Sequence, residues 1–268
     1  MKLSKATEIL KNAGIEDAKR EARILFSSFS GLCESLLYGC DAESEAPALI
    51  EAVERRAQRE PLQYIIGEVD FYRERYKVSS DCLIPRSDTE ILVDEAVKRL
   101  PRGARFIDLC TGSGCVALSV LNNTDSTVAK AVDISAPALL VAKENAKRLS
   151  LTERITFIEG DVLSDAVEGR FFAVLSNPPY VTREAYQKLM PEIYFEPDIA
   201  FLGGEDGMDF YRGILSIYAD SLEDGGFFAF EIGFDQAEQI AAIAKDRALN
   251  IEIIKDYSGN ARVAILNK

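Results

Sequence analysis

Arg105-Phe106-Ile107-Asp108-Leu109, then Cys110-Thr111-Gly112-Ser113-Gly114, then Cys115-Val116-Ala117-Leu118 place an apolar run, a glycine turn and an apolar helix start in direct succession. The succession predicts a buried strand, a tight turn and a helix, the opening unit of a parallel α/β sheet. Glycines at such a turn let the backbone come close to a ligand, with helix N-terminal amides directed at it. Read as G-x-G-x-x-A through Gly112, Gly114 and Ala117, the turn also matches a relaxed dinucleotide fingerprint, which keeps a nicotinamide enzyme in view.

The next apolar stretch, Thr127 to Val132, ends in Asp133, where a carboxylate can accept from ribose hydroxyls. Ser135 is the expected N-cap of a helix over 136–149. A third strand, Ile155 to Ile158, runs into Glu159-Gly160-Asp161-Val162, in which Asp161 can accept from an adenine amino group and Val162 can pack on the ring. A fourth, Phe171 to Leu175, ends in Ser176-Asn177-Pro178-Pro179-Tyr180. The two prolines fix φ and remove competing donors, so the loop presents acceptors in a stiff arrangement. The Asn177 side-chain oxygen and the Pro178 carbonyl suit the two N–H bonds of a planar, nearly neutral nitrogen, and Tyr180 offers a flat face against it. A lone acid at a strand end is usually just solvated, and a lone Asn-Pro is usually an Asx turn. Four successive strands ending in a glycine loop, two acids and Asn-Pro-Pro-Tyr are not explained that way.

With these residues in place, the chain resembles the S-adenosylmethionine-dependent methyltransferases, and specifically the release-factor glutamine methyltransferase (HemK/PrmC) family. The resemblance runs in order through Pro61-Leu62-Gln63-Tyr64 with Gly67 and Phe71, Leu83-Ile84-Pro85-Arg86 with Thr89-Glu90, the Thr111 to Gly114 loop and Asp133-Ile134-Ser135. It continues through Asn177 to Tyr180, Glu196-Pro197, Gly203-Gly204-Glu205-Asp206-Gly207 and Glu231-Ile232-Gly233. The Asn-Pro-Pro-Tyr tetrapeptide is shared by many amino-methyltransferases and names no substrate; the Pro-Arg-x-x-Thr-Glu, Glu-Pro and Gly-Gly blocks together are much narrower. Two departures stand out: Cys110 occupies the first glycine position of the cofactor loop, and Pro85 to Glu90 reads Pro-Arg-Ser-Asp-Thr-Glu.

The resemblance implies methyl transfer from S-adenosyl-L-methionine to the side-chain amide of the glutamine in the Gly-Gly-Gln motif of class 1 peptide chain release factors. It implies cofactor binding by Cys110, Thr111, Gly112, Ser113, Gly114, Asp133, Asp161, Val162 and Asn177. Substrate binding falls to Asn177, Pro178, Pro179, Tyr180 and Arg86, with Asn177, Pro178 and Tyr180 at the chemistry. Arg86 reads equally as a substrate-channel residue or a structural ion-pair partner, and Glu90 and Glu196 as shaping the site or supporting its loops. A nucleobase amino-methyltransferase acting on DNA or RNA is the rival enzyme, and a cofactor-binding regulator without turnover the rival class.

Composition narrows these. The net charge of −13 and pI near 4.7 argue against a protein that grips a phosphate backbone, so direct nucleic-acid binding is not expected. With 0 histidines, the chain has no imidazole base, His triad or His metal site, and no metal is expected. Cys33, Cys40, Cys82, Cys110 and Cys115 show neither paired metal spacing nor a disulfide framework, which suits the cytoplasm. The first residues lack an apolar signal core, and no run is long enough for a membrane span.

The expected architecture is α/β: a Rossmann-like methyltransferase sheet, mostly parallel with a C-terminal antiparallel hairpin, preceded by a small helical domain. Stripes Leu3-Ala6-Leu10-Ala13, Ala18-Ala22-Leu25-Phe29 and Ala46-Ile50-Val53-Ala57 predict three short helices within a domain over 1–62, and the resemblance implies that this domain docks the protein substrate. Residues 63–84 are expected to form a linking β-hairpin and 85–268 the methyltransferase domain, with strands over 227–232, 251–254 and 261–266 and helices over 89–100 and 208–221.

Overall fold

The computed structural model of the chain describes residues 1–164 and 166–268, which divide into two compact bodies. One comprises Met1–Glu68 together with Met190–Phe195; the other comprises Val69–Leu189 and Glu196–Lys268.

The first body holds helices α1 (Leu3–Asn12), α2 (Ala18–Ser30), α3 (Pro47–Ala57) and α4 (Leu62–Ile66). Leu3, Ala6 and Leu10 of α1 meet Ala22, Leu25 and Phe26 of α2 in one apolar cluster. In α3 the buried line is Leu49, Ala52, Val53 and Arg56; of the expected Ala46-Ile50-Val53-Ala57 stripe, Val53 lies in the core and Ala46 and Ala57 pack against it, while Leu49 is buried in place of Ile50. Arg56 is buried there because its guanidinium is paired, with Nε 2.5 Å from Glu21 Oε2 and Nη2 3.1 Å from Glu192 Oε1. The hairpin expected over 63–84 begins later: Leu62–Ile66 is helical, stopped by Gly67 in the left-handed region (φ 84°). Its strands are β1 (Glu68–Phe71) and β2 (Glu74–Lys77).

The second body then alternates: α5 (Glu90–Arg99), β3 (Arg105–Leu109), α6 (Cys115–Asn122), β4 (Val128–Asp133), α7 (Ala136–Arg148), β5 (Ile155–Glu159), β6 (Phe171–Ser176), α8 (Arg183–Tyr186), α9 (Asp209–Tyr218), β7 (Leu222–Glu231), α10 (Ala237–Asp246), β8 (Asn250–Lys255) and β9 (Ala261–Asn267). A 7-stranded sheet has the order β5-β4-β3-β6-β7-β9-β8. β3 to β7 are parallel neighbours, while β9 runs antiparallel to both β7 and β8. This is the expected α/β architecture, with the antiparallel pair at the C-terminus. β7 begins earlier than Phe227, so Gly225 and Gly226 lie within the strand and do not open it.

Strand side chains alternate between two cores, as period-2 geometry requires. Phe106, Ala129, Ala131, Ala173 and Leu175 pack with α5 and α6 on one face. Ile107, Leu109, Val174, Phe228 and Phe230 pack with α9 and α10 on the other. Burial on both faces is why these strands read as continuous apolar runs. Among the described residues no helix is long and apolar enough to cross a membrane.

Candidate active site

Sheet register decides where the chemistry-bearing loops begin. Leu109 pairs with both Val132 and Ser176, and Ser176 with Phe230, so one row crosses the carboxyl ends of four parallel strands. The next residue on each strand is Cys110, Asp133, Asn177 and Glu231. The chain leaves β3 toward β4 on one side and β6 toward β7 on the other, so the crevice of an open α/β sheet falls between β3 and β6. A cleft of about 710 Å³, its solvent-filled mouth included, opens there.

Of the residues singled out in the sequence, Cys110, Gly112, Asp133, Asp161, Val162, Asn177 and Pro179 line this cleft. Asp133 clasps the glycine loop: Oδ2 accepts from the Gly112 amide at 2.7 Å, and Oδ1 from that of Ser135 at 2.9 Å. Burial pushes its carboxyl up, against the pull of these amides. Asp161 Oδ1 accepts from the Leu163 amide at 2.9 Å. Cys110 sits in the left-handed region at φ 59°, which explains why glycine is expected at this position. Thr111, Ser113 and Gly114 are buried beside the cleft. Thr111 Oγ1 donates to Asp108 Oδ2 at 2.5 Å beneath the loop, and the Ala117 amide at the start of α6 donates to the same oxygen at 3.3 Å. Full burial pushes Asp108 up to about 7 despite these bonds.

Asn177 Nδ2 donates to Thr89 Oγ1 at 3.1 Å, Thr89 Oγ1 donates to Glu231 Oε2 at 2.5 Å, and the Tyr180 hydroxyl donates to Glu231 Oε1 at 3.1 Å. Burial pushes the Glu231 carboxyl up, while Thr89, Tyr180 and the Arg262 guanidinium pull it back. Burial and the Glu231 charge raise the Tyr180 hydroxyl, which stays protonated. The backbone of this loop is braced from the segment after α8 and from Gln236, which caps α10. The Val181 amide donates to Phe201 O at 2.7 Å, the Gly203 amide to Val181 O at 3.0 Å, and Gln236 Nε2 to Tyr180 O at 3.0 Å. A Cβ at Gly203 would lie 2.5 Å from Pro179 O, and one at Gly207 would strike Tyr180 O, so the glycines of that block are where two backbones pass in contact.

Arg86 is paired with Glu196, whose other oxygen accepts from the Ile84 amide at 2.9 Å. Glu90 Oε1 accepts from the Tyr72 amide at 2.8 Å, which ties α5 to the hairpin. Glu90 and Glu196 thus support loops through backbone amides. Sequence reasoning assigned no task to Thr89 or Glu231, although both lie in motif blocks; their contact joins positions 142 residues apart. It also missed the apolar wall of Leu83, Pro197, Ile199 and Phe210, which comes from three separate segments of the chain.

Comparison with known proteins bears on this cleft. The family model described as PrmC N-terminal domain matches residues 2–67, and that described as Methyltransferase small domain matches 87–196. A release factor glutamine methyltransferase of Thermodesulfovibrio yellowstonii is 41% identical over 84% of this chain and 82% of its own length. One from Caulobacter vibrioides is 35% identical over 97% of this chain and 93% of its own. In fold alone, the chain is similar to the crystal structure of ribosomal protein L11 methylase from Lactobacillus delbrueckii subsp. bulgaricus, with a TM-score of 0.51 at 18% identity over 68% of this chain and 80% of that one.

Proposed function

The chain belongs to the release factor glutamine methyltransferase family, and on that premise we propose that it methylates the side-chain amide nitrogen of the glutamine in the Gly-Gly-Gln motif of class 1 peptide chain release factors, using S-adenosyl-L-methionine. The cleft fits this methyl donor. A Cβ at Gly112 would meet nothing within 4 Å, so the loop backbone stands open to a ligand. Asp133 and Asp161 bring acceptors for ribose hydroxyls and an adenine amine, and Ile134 and Val162 bring apolar surface for a base. When bound, the donor supplies a methyl carbon on a sulfonium, electrophilic enough for direct attack.

The single observation that carries the reading is the orientation of Asn177 on the cleft wall. Nδ2 gives one proton to Thr89, which leaves the side-chain oxygen as the acceptor for an incoming N–H. The Pro178 carbonyl takes the second N–H, and the Tyr180 ring packs against the amide plane. An amide nitrogen is a poor nucleophile, and the chain has no histidine to deprotonate it. Tyr180, held protonated with its hydroxyl on Glu231, is no base either. These residues therefore work by orienting the amide and polarising its N–H bonds, and orientation alone can lower a barrier by about 7–11 kcal/mol. The first body supplies the docking surface for the folded substrate.

The test is incubation with methyl-labelled donor and a class 1 release factor, followed by mass spectrometry of its Gly-Gly-Gln peptide. One added methyl on the glutamine amide is expected. Label on DNA or RNA, or on another residue, overturns the reading; the net charge of −13 already disfavours the nucleic-acid alternative.

A further inference from the structure

Asn177 can occupy its place in two ways, since exchanging Oδ1 and Nδ2 leaves its shape unchanged. Only one of them offers an acceptor to a substrate N–H. We propose that Thr89 and Glu231 are positioning residues that decide between the two by setting the direction of a hydrogen-bond chain. The proposal rests on the reading of Asn177 as the holder of the acceptor amide.

The chain of bonds starts at Glu231, whose carboxylate has only lone pairs to offer. Both its oxygens are met by hydroxyls, Thr89 Oγ1 at 2.5 Å and the Tyr180 hydroxyl at 3.1 Å. A hydroxyl carries one proton. Thr89, having given its proton to Glu231, can only accept from Asn177, and it does so from Nδ2 at 3.1 Å. One proton of the amide's NH₂ is thereby fixed on Thr89, which sets the direction of the amide and leaves its oxygen for the substrate. The opposite orientation would set the Asn177 oxygen against the Thr89 lone pairs, at a place where Thr89 and Glu231 are each only 2% exposed. Buried lone pairs facing each other have no water to turn to. Two further charges face Glu231: Arg262 of β9, which favours the carboxylate, and Asp88, which opposes it and is itself paired with Arg262 at 3.2 Å. From α9, the Tyr211 hydroxyl donates to the Glu231 backbone carbonyl at 2.8 Å and so leaves the carboxylate to Thr89 and Tyr180.

The experiment compares Thr89→Val, which deletes the hydroxyl, with Thr89→Ser, which keeps it, and adds Glu231→Gln, whose amide can donate to Thr89 and run the chain of bonds backwards. Thr89→Val is expected to lower kcat on a release factor about 10- to 100-fold, with KM and the calorimetric Kd for S-adenosylmethionine within about threefold of wild type. Thr89→Ser restores kcat to within about threefold, and Glu231→Gln falls with Thr89→Val. In the ligand-free protein, NMR of the Asn177 side-chain NH₂ should show slow hydrogen exchange in wild type and Thr89→Ser, and fast exchange in Thr89→Val. Wild-type kcat in Thr89→Val, equal slowing by Ser and Val, or unchanged exchange overturns the proposal. Should Glu231→Gln fail to fold, the Thr89 pair still decides. A wild-type protein that puts no methyl on glutamine instead refutes the function itself.

Discussion

In the proposed function Asn177 is where acceptor geometry and donor charge meet, so its substitutions separate the two. Asn177→Ala removes a preorganised acceptor and is expected to lower kcat on the order of 10²–10³-fold, while cofactor affinity changes less. The reason for the difference is that the Cys110 to Gly114 loop, Asp133 and Asp161 lie on other strand ends of the same cleft. Asn177→Asp is sharper. It can still accept, but it adds negative charge beside a cationic donor and so favours the charged ground state over the transition state in which that charge is dispersed. It should bind S-adenosylmethionine at least as tightly as wild type in calorimetry and turn over poorly. Wild-type turnover in both variants would remove Asn177 from the chemistry.

At the scale of elements, the strand-turn-helix unit β3–α6 carries a titratable group under its ligand loop. Asp108 joins the turn, through Thr111, to the first turn of α6, through the Ala117 amide. Its folded pKa of about 7 lies above the ordinary carboxylate value. Between about pH 4 and 7 the folded state keeps a proton that the unfolded chain releases, so this contribution to stability is complete below about pH 4 and is lost as pH rises through 7. Asp108→Asn keeps an acceptor for both donors and cannot ionise. Urea unfolding across this range should show the variant gaining on wild type from pH 5 to 7, with the difference levelling off above. Parallel pH profiles for the two proteins would show that Asp108 does not titrate in this window.

For the whole molecule, the proposed function assigns docking of the release factor to the helical body. Leu36 and Tyr38, 64% and 67% exposed on the first body, are apolar surface with no role in its core. Replacing both with Ser is expected to raise KM for an intact release factor by about tenfold, about 1.4 kcal/mol of lost contact, and to leave a short Gly-Gly-Gln peptide unaffected. Remote contacts help position a large substrate and are absent for a small one. Equal loss on both substrates would assign these residues to folding. The comparison is better made by surface substitution than by truncation before Pro61. Removing Arg56 and Arg59 would strand the Glu192 carboxylate, which pairs with both within the same body.

The linear sequence determined the strand-turn-helix alternation, the strand-end loops and the cleft-lining identities of Cys110, Gly112, Asp133, Asp161, Val162 and Asn177. Each of these is local: an apolar run buried on two faces, a turn residue, and a polar residue one step beyond the strand. The apolar stripe of α3 found Val53 but not Arg56, because a buried, paired arginine does not look apolar, and the hairpin began late because a single helical turn at 62–66 carries too few residues for a period to show. Tertiary structure alone decided that Asn177 Nδ2 donates to Thr89, and that Arg86 pairs with Glu196. Those depend on contacts between segments far apart in the chain, such as Thr89 with Glu231 across 142 residues. Hydrogen-bond direction is a property of groups in contact, and sequence order does not say which groups touch.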